Sequence, residues 1–455
     1  MKYIKTLTAV VLSFAMFATT VMIQGTIDTE AAVKIMFGKK LSMTAGSTDI
    51  VVVKGKATAT TANKKIAKIA KIKKGKKSIV TVKGLKTGKT TVTIKVKKSK
   101  KKVPVTVNPA KVKKVTAALT SSTSAKVSWA KAKGAVKYEV YFSTNASSGF
   151  KKIATIKATS YDHKNITQGV FVYYKVKAIG NSKTKASMSP ASNRLKTWKL
   201  VWNDEFNGDK LDMTKWNNEG AKGDGGYGNH ELQNYQLDYC KVKDGALVIT
   251  PTFKYDKNAR KGVEKSYYSG KIWTKGQYSV QYAKVEMKVI MPKGRGTWAA
   301  GWMLGPGSWP ACGEIDIFET TPELAKTIIP QSIHCGKYNG LPNYSGNKHT
   351  DTTVADATKA YHTYGIEWLN DGVKFTIDGK VTWVYDPLVY SSMDNYMEDN
   401  RAWPFKQPFY LILNCAIGGT LGGDVSPTYW TNVKTQGNIE TYEDYMYVDS
   451  VRVYQ

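Results

Sequence analysis

Three carboxylates lie within six positions of one another in the segment "GEIDIFE". They are Glu314, Asp316 and Glu319, and the residues between them are apolar. An unpaired carboxylate is costly to bury, so three of them in an apolar segment need a reason. Paired carboxyl groups can act as a general acid with a nucleophile or base, and they can also bind a cation. A solvated strand face is the third interpretation that this segment alone leaves open.

The spacing of the carboxylates predicts a β-strand with one irregularity. Side chains alternate between the two faces of a strand, so Glu314 and Asp316 share one face. Glu319 lies five positions after Glu314 and would point to the opposite face of a regular strand. One extra residue, a β-bulge near Ile317–Phe318, returns Glu319 to the carboxylate face. We therefore predict a bulged strand whose carboxylates lie on the floor of an open groove.

The chain around this strand, residues 199–455, has the composition of an all-β domain. It is rich in Trp, Tyr, Asn and Gly, and it contains many short segments of alternating polarity with hardly any amphipathic helix. Such segments, separated by turn residues, predict a large antiparallel sandwich of the jelly-roll type.

Several blocks in this region carry a resemblance to a known family. In chain order they include "LVWNDEFNGDKLDMTKW", "GYGNHELQNY", "GTWAAGWMLG", "SWPACGEIDIFET", "SIHCG", "WPFKQPFYLILNCAIGG" and "YMYVDSVRVYQ". Together they resemble glycoside hydrolase family 16 and, within it, the laminarinase-like endo-β-1,3-glucanases. The resemblance covers residues 199–455. It implies a concanavalin-like jelly roll that hydrolyses laminarin-type glucans, or mixed β-1,3/1,4 glucans, with retention.

The family pattern assigns a role to the two glutamates. It implies that Glu314 is the nucleophile and that Glu319 is the general acid/base. Asp316 lies between them on the same face, and we expect it to assist by holding Glu314 through a shared proton or a hydrogen bond. Glycoside hydrolysis needs one protonated and one ionised carboxyl group beside the scissile bond, which suits this set.

Further residues are expected to contact the sugar chain. Trp298 and Trp309 can offer flat apolar faces to pyranose rings, with core packing as the alternative for Trp298. His334 matches a histidine that the family places beside the catalytic pair. Asn229 and Glu231 match the family block near the non-reducing-end subsites.

The sequence departs from the family pattern at several cleft positions. His230 replaces the usual second Asn, and Lys271 replaces an arginine that is common in laminarinases, so a bidentate contact to sugar is lost. The segment "IGGTLGG" at 417–423 lacks the tryptophan often found there. We expect Trp302 to pack in the core. These departures leave the choice of glycan open.

The family often carries one structural calcium ion away from the cleft. The resemblance places its ligands at the Glu205 segment, Gly245 and Asp449, and oxygen donors of this kind suit calcium. No cofactor is expected for catalysis.

Two other functions compete with the glucanase interpretation. A galactan hydrolase of the agarase or carrageenase type would share the bulged carboxylate strand and differ in the other cleft residues. A non-catalytic glycan-binding surface protein would use the cleft as a lectin does, but it would have no use for all three carboxylates.

The front of the chain is expected to hold two small β-sandwiches. Residues 33–108 alternate β-branched and polar residues, and "GLKTGKTTVTI" resembles the bacterial immunoglobulin-like group 2 module. Residues 109–198 resemble a fibronectin type III module, in which Trp129, Tyr138 and Tyr173 take the positions of core aromatics.

The two halves of the chain differ strongly in charge. Residues 33–198 contain 39 Lys or Arg and three acidic residues, whereas residues 199–455 contain 27 basic and 30 acidic residues. The basic half can attract anionic cell-wall polymers or acidic polysaccharides, or it can simply use lysine for solubility and at strand edges. Nucleic acid is disfavoured because the lysines are scattered with few aromatics and little Arg.

The first 32 residues have the pattern of a signal peptide, with Lys2 and Lys5 before a long apolar run. We expect a secreted, extracellular and cell-wall-associated bacterial protein with no membrane span once the signal is removed. An uncleaved anchor is the alternative. The four cysteines show no CxxC spacing, which disfavours a zinc or redox site and leaves one disulfide or buried free thiols.

Overall fold

The computed structural model describes residues 32–218, 228–261, 264–322, 327–340, 346–390 and 400–455. The signal peptide expected at 1–32 lies, except for its last residue, outside the described residues. None of the helices within these ranges is both long and apolar enough to cross a membrane. The chain divides into two compact units, Met1–Asn165 with Phe171–Leu195 and Ile166–Val170 with Lys196–Gln455.

The described residues of the first unit form short strands and one 3-10 helix, Asn181–Lys183. The strands are β1 (Ile35–Phe37), β2 (Leu41–Thr44), β3 (Thr48–Lys54), β4 (Ala57–Thr61), β5 (Ala67–Lys73), β6 (Lys77–Gly84), β7 (Gly88–Val96), β8 (Ser99–Asn108), β9 (Val115–Ser121), β10 (Ser124–Trp129), β11 (Lys137–Ser143), β12 (Lys151–Ile156), β13 (Ser160–His163), β14 (Phe171–Ile179) and β15 (Leu195–Lys196).

Strands β1 to β8 form two sheets, in the orders β1-β3-β6-β5 and β2-β8-β7-β4. Their inward residues form a core of small aliphatic side chains, including Val51, Val80, Val92 and Val105. The pairing of β2 with β8 is parallel, and the other pairs in these two sheets are antiparallel.

Strands β9 to β15 form a second pair of sheets, in the orders β13-β10-β9 and β12-β11-β14-β15. Trp129 and Tyr138 are buried there, with ring centroids 5.4 Å apart. The core position expected for Tyr173 is wrong, because strand alternation turns its neighbour Tyr174 inward and leaves Tyr173 half-buried. The module families and their boundaries stay predictions.

The second unit contains twenty strands among its described residues, with the 3-10 helix Leu237–Tyr239 and two one-turn helices, α1 (Pro387–Tyr390) and α2 (Gly419–Gly422). The strands are β16 (Leu200–Asp204), β17 (Asn234–Tyr235), β18 (Cys240–Lys243), β19 (Ala246–Ile249), β20 (Thr252–Asp256), β21 (Lys265–Ser269), β22 (Lys271–Trp273), β23 (Lys284–Ile290), β24 (Thr297–Leu304), β25 (Glu314–Glu319), β26 (Thr321–Pro322), β27 (Thr327–His334), β28 (Lys348–Val354), β29 (His362–Leu369), β30 (Gly372–Ile377), β31 (Lys380–Tyr385), β32 (Tyr410–Ile417), β33 (Asn432–Gln436), β34 (Ile439–Glu443) and β35 (Met446–Tyr454).

Two large sheets of the second unit pack face to face. One has the order β18-β19-β35-β23-β29-β30-β31, with β16 also paired to β35, and the other has the order β22-β32-β24-β25-β27-β26, with β28 paired to β27. Met287 and Tyr364 from the first sheet and Ile315 and Leu413 from the second belong to one buried cluster. The expected all-β sandwich is confirmed, and its second sheet carries the strand of the three carboxylates.

A third, five-stranded sheet completes the unit in the order β17-β21-β20-β34-β33. It has a small core of its own, in which Phe253 stacks on Tyr442 and meets Trp430 edge-on.

Candidate active site

Strand β25 contains the bulge that the carboxylate spacing predicts. Asp316 lies opposite Trp302 of β24 and Phe318 lies opposite Gly301, so Ile317 has no partner on β24. This extra residue brings the last carboxylate onto the face of the first two. The predicted bulge is confirmed at its predicted place.

Apolar packing holds the bulge in position. Ile315, Ile317 and Phe318 are fully buried in the core between the two large sheets. A Cβ atom on Gly301 would lie 2.3 Å from the Phe318 ring and 2.6 Å from the sulfur of Met287. The missing side chain at Gly301 therefore makes room for the ring that packs next to the bulge.

Glu319 is turned toward the groove and is half-buried. The indole N–H of Trp298 donates a hydrogen bond to its Oε1 over 2.9 Å. Trp298 is thus next to the carboxylate rather than in the core, as the sugar-cleft interpretation expects. Its indole fixes the direction of the Glu319 side chain.

Asp316 lies at the centre of the site and is almost fully buried, with 5% of its side chain exposed. The Ser332 hydroxyl donates to its Oδ2 over 2.5 Å, and Nε2 of His334 is 3.4 Å from the same oxygen. The same His334 nitrogen lies 3.8 Å from Oε1 of Glu314. His334, expected from sequence to lie beside the catalytic pair, bridges Asp316 and Glu314.

Trp309 stands at the entrance of the site. It is 42% exposed, and its ring centroid is 6.0 Å from that of His334. Its side chain also hydrogen-bonds to Glu314. The structure therefore brings Trp309 to the cleft, where an exposed indole face is available to a ligand.

Burial and mutual repulsion favour the protonated forms of the two glutamates. Burial and the Asp316 carboxylate raise the pKa of Glu319 from 4.5 to about 8. The same two causes raise the pKa of Glu314 well above its ordinary value. The hydrogen bond from Trp309 and the charge of His334 act in the opposite direction on Glu314 and favour its ionised form.

His334 is held as a cation by its neighbours. Burial alone would lower its pKa, but the contact with Asp316 and the charges of Glu314 and Glu319 raise it to about 10. Its other ring nitrogen, Nδ1, is 3.3 Å from the carbonyl oxygen of Asn339, so both nitrogens face acceptors. An imidazolium beside three carboxylates compensates part of their charge.

Two residues of this face were not identified as site residues from the sequence. Trp302 was expected in the core; instead it is half-buried and donates from Nε1 to Oδ1 of Asn414 over 2.8 Å. Asn414 in turn donates to the Tyr235 hydroxyl over 2.9 Å. The alternation of β24, which puts Trp298 and Trp302 on one face, was the signal available in the sequence.

Lys271 lies on the edge strand β22 of the same sheet, surrounded by aromatic rings. Its Nζ is 4.9 Å from the centroid of Trp273, 5.7 Å from that of Trp302 and 5.8 Å from that of Tyr235. Burial lowers its pKa to about 8, although Glu231 and Glu314 oppose this. The lysine that replaces the family's arginine is therefore a cation in an aromatic cage.

Asn229 and Glu231 lie together near the loop after β32. Glu231 is buried and accepts a hydrogen bond from the Asn229 backbone N–H over 3.0 Å, and it forms an isolated bridge with Gly418. Glu231 acts electrostatically on Lys271, which joins it to the cleft sheet. Asn229 is exposed, and its carbonyl oxygen accepts from the backbone N–H of Thr420.

The residues expected to bind calcium are engaged by protein cations in this structure. Both carboxylate oxygens of Glu205 accept hydrogen bonds from Arg452, at 2.8 and 2.7 Å. Asp449 lies 3.2 Å from Nζ of Lys288, and Gly245 is in a turn with φ of 76°. The Glu205 carboxylate does not fit an ion in this arrangement, because Arg452 occupies both of its oxygens.

One group of side chains is compact enough to hold a metal ion among the residues that the structure describes, namely Glu314, Asp316 and His334, whose ligand atoms lie within 4.8 Å of one another. The raised pKa of His334 disfavours a metal there, because a ligand imidazole must be neutral. The four cysteines are buried free thiols.

Comparisons with known proteins fall on the second unit. The sequence profile described as "Glycosyl hydrolases family 16" matches residues 234–443. The chain is 33% identical to glucan endo-1,3-beta-glucosidase A1 of Niallia circulans over 285 residues, which are 59% of this chain and 39% of that protein. It is 32% identical to a beta-glucanase of Rhodothermus marinus over 283 residues, 59% of this chain and 88% of that protein. A solved laminarinase from Flavobacterium sp. UMI-01 is 31% identical, with 56% of this chain and all of that chain covered and a TM-score of 0.46.

Proposed function

Since the chain belongs to glycosyl hydrolases family 16, we propose that it is a retaining endo-β-glucanase that hydrolyses internal β-1,3 linkages of laminarin-type glucans. Mixed β-1,3/1,4 glucans are included in the proposal. The similarity to the Niallia and Rhodothermus proteins, which are named as glucanases, supports this substrate class.

The observation that carries the proposal is the bulge of β25. It sets Glu314 and Glu319 on one wet face with Asp316 between them, so that two carboxyl groups can flank one glycosidic bond. A lectin only binds sugar, so it has no need for a carboxyl group such as that of Glu319, which stays protonated at neutral pH.

In the first step, Glu319 acts as the acid. Its raised pKa keeps it protonated at neutral pH, and it transfers this proton to the oxygen of the departing sugar. Glu314 attacks the anomeric carbon as the bond to that oxygen breaks, and a covalent glycosyl–enzyme ester forms. The attack requires ionised Glu314, and the hydrogen bond from Trp309 and the charge of His334 favour that form against the burial and the Asp316 charge that raise its pKa.

In the second step, the roles of Glu319 reverse. Now ionised, it takes a proton from a water molecule, which attacks the anomeric carbon and releases Glu314 as a carboxylate. Two displacements at one carbon return the original β configuration. Asp316, which Ser332 and His334 hold, lies between the two glutamates, and we assign it the assisting role of holding Glu314 in place.

The first prediction is loss of hydrolysis in two variants. Glu314→Gln and Glu319→Gln should each lower kcat on laminarin by about 1000-fold or more, because each removes a group that forms or breaks a bond. Reducing-sugar release measures the rate, and NMR of the first product reports its anomeric configuration. Glu286→Gln, a carboxylate on the outer face of β23 paired with Lys284, is the matched control and should keep full activity.

Either of two results would refute the assignment: near-wild-type rates in one of the glutamate variants, or an α-configured first product. A panel of laminarin, lichenan, agarose and carrageenan separates the glucanase from a galactan hydrolase. Binding of laminarin without any release of sugar would instead establish a non-catalytic glycan-binding protein.

We also propose that the protein is exported, on the basis of the basic and apolar pattern of its first 32 residues. Catalysis by the carboxylates needs no cofactor in this mechanism.

A structural calcium ion near Asp449 is a separate proposal, and it forms the second prediction. If an ion binds there, millimolar calcium should raise the melting temperature by about 2–4 °C over EDTA, and Asp449→Asn should abolish the difference. Identical melting curves of the wild type in calcium and in EDTA would exclude the site.

A further inference from the structure

The outer face of the sheet β1-β3-β6-β5 in the first unit carries six lysines, which we call the lysine face. Its members are Lys54, Lys68, Lys71, Lys73, Lys77 and Lys83. Strand register sets Lys54 directly opposite Lys77, and Lys68 directly opposite Lys83. Like charges that are directly opposite on a sheet repel one another and destabilise the pair.

The register and the burial pattern agree that these lysines share one face. On β6, Ser78, Val80 and Val82 are buried, whereas Lys77 is exposed and Lys83 is half-buried. On β5, Lys71 lies opposite Thr81 and Lys73 opposite Ile79, both on outward positions of β6. Strand alternation therefore places all six ammonium groups outside the sandwich.

Acidic side chains are almost absent from this part of the sequence. Residues 33–108 contain 22 lysines, no arginine and a single acid, Asp49. Asp49 occupies the inward set of alternating positions on β3, and it accepts a hydrogen bond from the Ile50 backbone. Among the described residues, no ion pair is recorded for any lysine of the face.

Solubility or protection of a sheet edge does not explain this placement. Lysines that block edge pairing belong on edge strands, and β5 is such a strand. Lys54, Lys77 and Lys83 instead lie on the two central strands, β3 and β6. Local arrangements that lower stability without a structural gain are characteristic of functional surfaces.

The face also has an apolar centre. Ile50, Val52 and Ile79 lie half-buried on the same outward positions, and Phe37, opposite Val52, is 60% exposed. The ammonium groups around this centre offer charge to a chain with repeated anions, and the centre itself offers apolar contact to the C–H groups of that chain.

We propose that the lysine face binds a linear anionic polysaccharide or polyol-phosphate polymer, whose shared chemistry is a hydrophilic chain without bases that carries regularly spaced carboxylates or phosphates. Binding places anions between the opposed lysines and removes their repulsion. The absence of arginine and the single exposed aromatic ring distinguish the face from surfaces that read nucleic acids, which stack bases on several rings. This site is independent of the cleft and of the reaction proposed for it.

The test compares two sets of four substitutions in the full chain. The face variant is Lys54→Gln, Lys68→Gln, Lys77→Gln and Lys83→Gln, which removes both directly opposed pairs. The control variant is Lys64→Gln, Lys86→Gln, Lys89→Gln and Lys113→Gln, which removes four exposed lysines of the same unit that do not oppose another lysine. Both variants lose the same net charge.

Affinity is measured for polygalacturonate and for poly(glycerol phosphate), with single-stranded DNA and neutral dextran for comparison, between 50 and 200 mM salt. We expect the face variant to bind its preferred polyanion about 10-fold or more weakly, with a salt slope shallower by about 3, while the control variant changes less than about 3-fold. The two polymers distinguish carboxylate from phosphate as the recognised anion.

Three results would overturn the proposal. Equal losses in the two variants would show attraction to net charge alone, and tighter binding of DNA than of both polymers would identify a nucleic-acid surface. No binding to either polymer at 50 mM salt would exclude the site.

Thermal unfolding gives a further readout. The face variant should melt at the same temperature as the wild type or higher, because the repulsion between lysines is removed. A lower melting temperature would contradict the premise that the opposed lysines destabilise the sheet. Hydrolysis of laminarin should be unchanged in both variants.

Discussion

Glu319 shows how one side chain serves catalysis at the expense of stability. Its position in the groove withdraws it from water, and the Asp316 carboxylate repels its charge, so its pKa rises to about 8. The same environment that keeps the acid protonated disfavours its ionised form in the folded protein. Catalytic readiness and native stability therefore oppose each other at this residue.

The third prediction follows from this opposition. Below pH 4.5, Glu319 is protonated in both the folded and the unfolded chain, so it adds no pH dependence. Between pH 4.5 and 8 the folded protein retains a proton that the unfolded chain releases, so the free energy of unfolding falls as the pH rises. Glu319→Gln removes this loss, and its melting temperature should exceed that of the wild type by about 3 °C or more at pH 8 and converge with it near pH 4.5.

Glu440 provides a contrast of opposite sign. Its hydrogen bond with Lys257 lowers its pKa below 4.5, so ionisation stabilises the folded state above that pH. Glu440→Gln should therefore lower the melting temperature at neutral pH and have less effect in acid. Thermal unfolding across pH 4 to 9 tests both variants, and a Glu319→Gln protein less stable than the wild type at pH 8 would contradict the assignment.

His334 and Lys271 are half-buried cations of the cleft, and they respond differently to pH. Interaction with Asp316 and the glutamates outweighs the burial of His334 and holds its pKa near 10, so it stays charged through the neutral range. Burial dominates at Lys271 and lowers its pKa to about 8. As the pH rises above neutral, Lys271 therefore loses its positive charge before His334 does.

At the level of elements, the pair of strands β24 and β25 builds the site. The bulge in β25 turns Glu319 to the groove, and Gly301 on β24 leaves the space that the Phe318 ring occupies behind it. Catalytic geometry thus depends on a glycine whose neighbours are all in the core. Strand β27 adds Ser332 and His334 from the other side of β25.

The fourth prediction tests this dependence. Gly301→Ala puts a methyl group within 2.3 Å of the Phe318 ring, so the ring and the bulge must shift. We expect a loss of about 1–3 kcal/mol in the free energy of unfolding, as for overpacked cores, together with a lower kcat on laminarin. Urea unfolding and steady-state kinetics measure the two effects.

Gly346→Ala is the matched control, because a Cβ atom there would meet no heavy atom within 4 Å. It should leave both quantities unchanged. Full stability and full activity in Gly301→Ala would show that the bulge does not depend on the packing of Phe318.

At the level of the whole molecule, the two units differ in the balance of their charges. Residues 33–198 carry 39 basic and three acidic side chains, and Glu139 already pairs with Lys152 and Lys185. Residues 199–455 carry 27 basic and 30 acidic side chains. Self-repulsion is therefore concentrated in the first unit.

The fifth prediction concerns salt. Ions screen exposed charges over about 10 Å at 0.1 M, so added NaCl should weaken the repulsion in the first unit. Raising NaCl from about 20 to about 300 mM should raise the melting transition of the first unit by several degrees, with a smaller change in the second. Calorimetry follows both transitions, and the transition that moves in the Glu319→Gln variant at pH 8 is assigned to the second unit. Equal shifts of both transitions with salt would contradict the prediction.

The local sequence pattern was sufficient to predict part of the site. The period of two along a strand, applied to three carboxylates, predicted the bulge of β25 and the common face of Glu314, Asp316 and Glu319, because parity is a property of neighbouring residues. The alternating segments likewise predicted the all-β class. The resemblance to a fibronectin type III module misplaced one core aromatic by one residue, because it did not determine which of Tyr173 and Tyr174 points inward.

Contacts between distant strands were decided by the tertiary structure alone. The sheet order β22-β32-β24-β25-β27 brings Lys271, Trp302, Asn414 and Ser332 to one face, although more than 140 positions separate the first from the third. It also determines that Trp302 faces the cleft and that Glu205 meets Arg452. Side-chain alternation is encoded locally, whereas strand order results from burying two apolar faces against each other, a property of the whole chain.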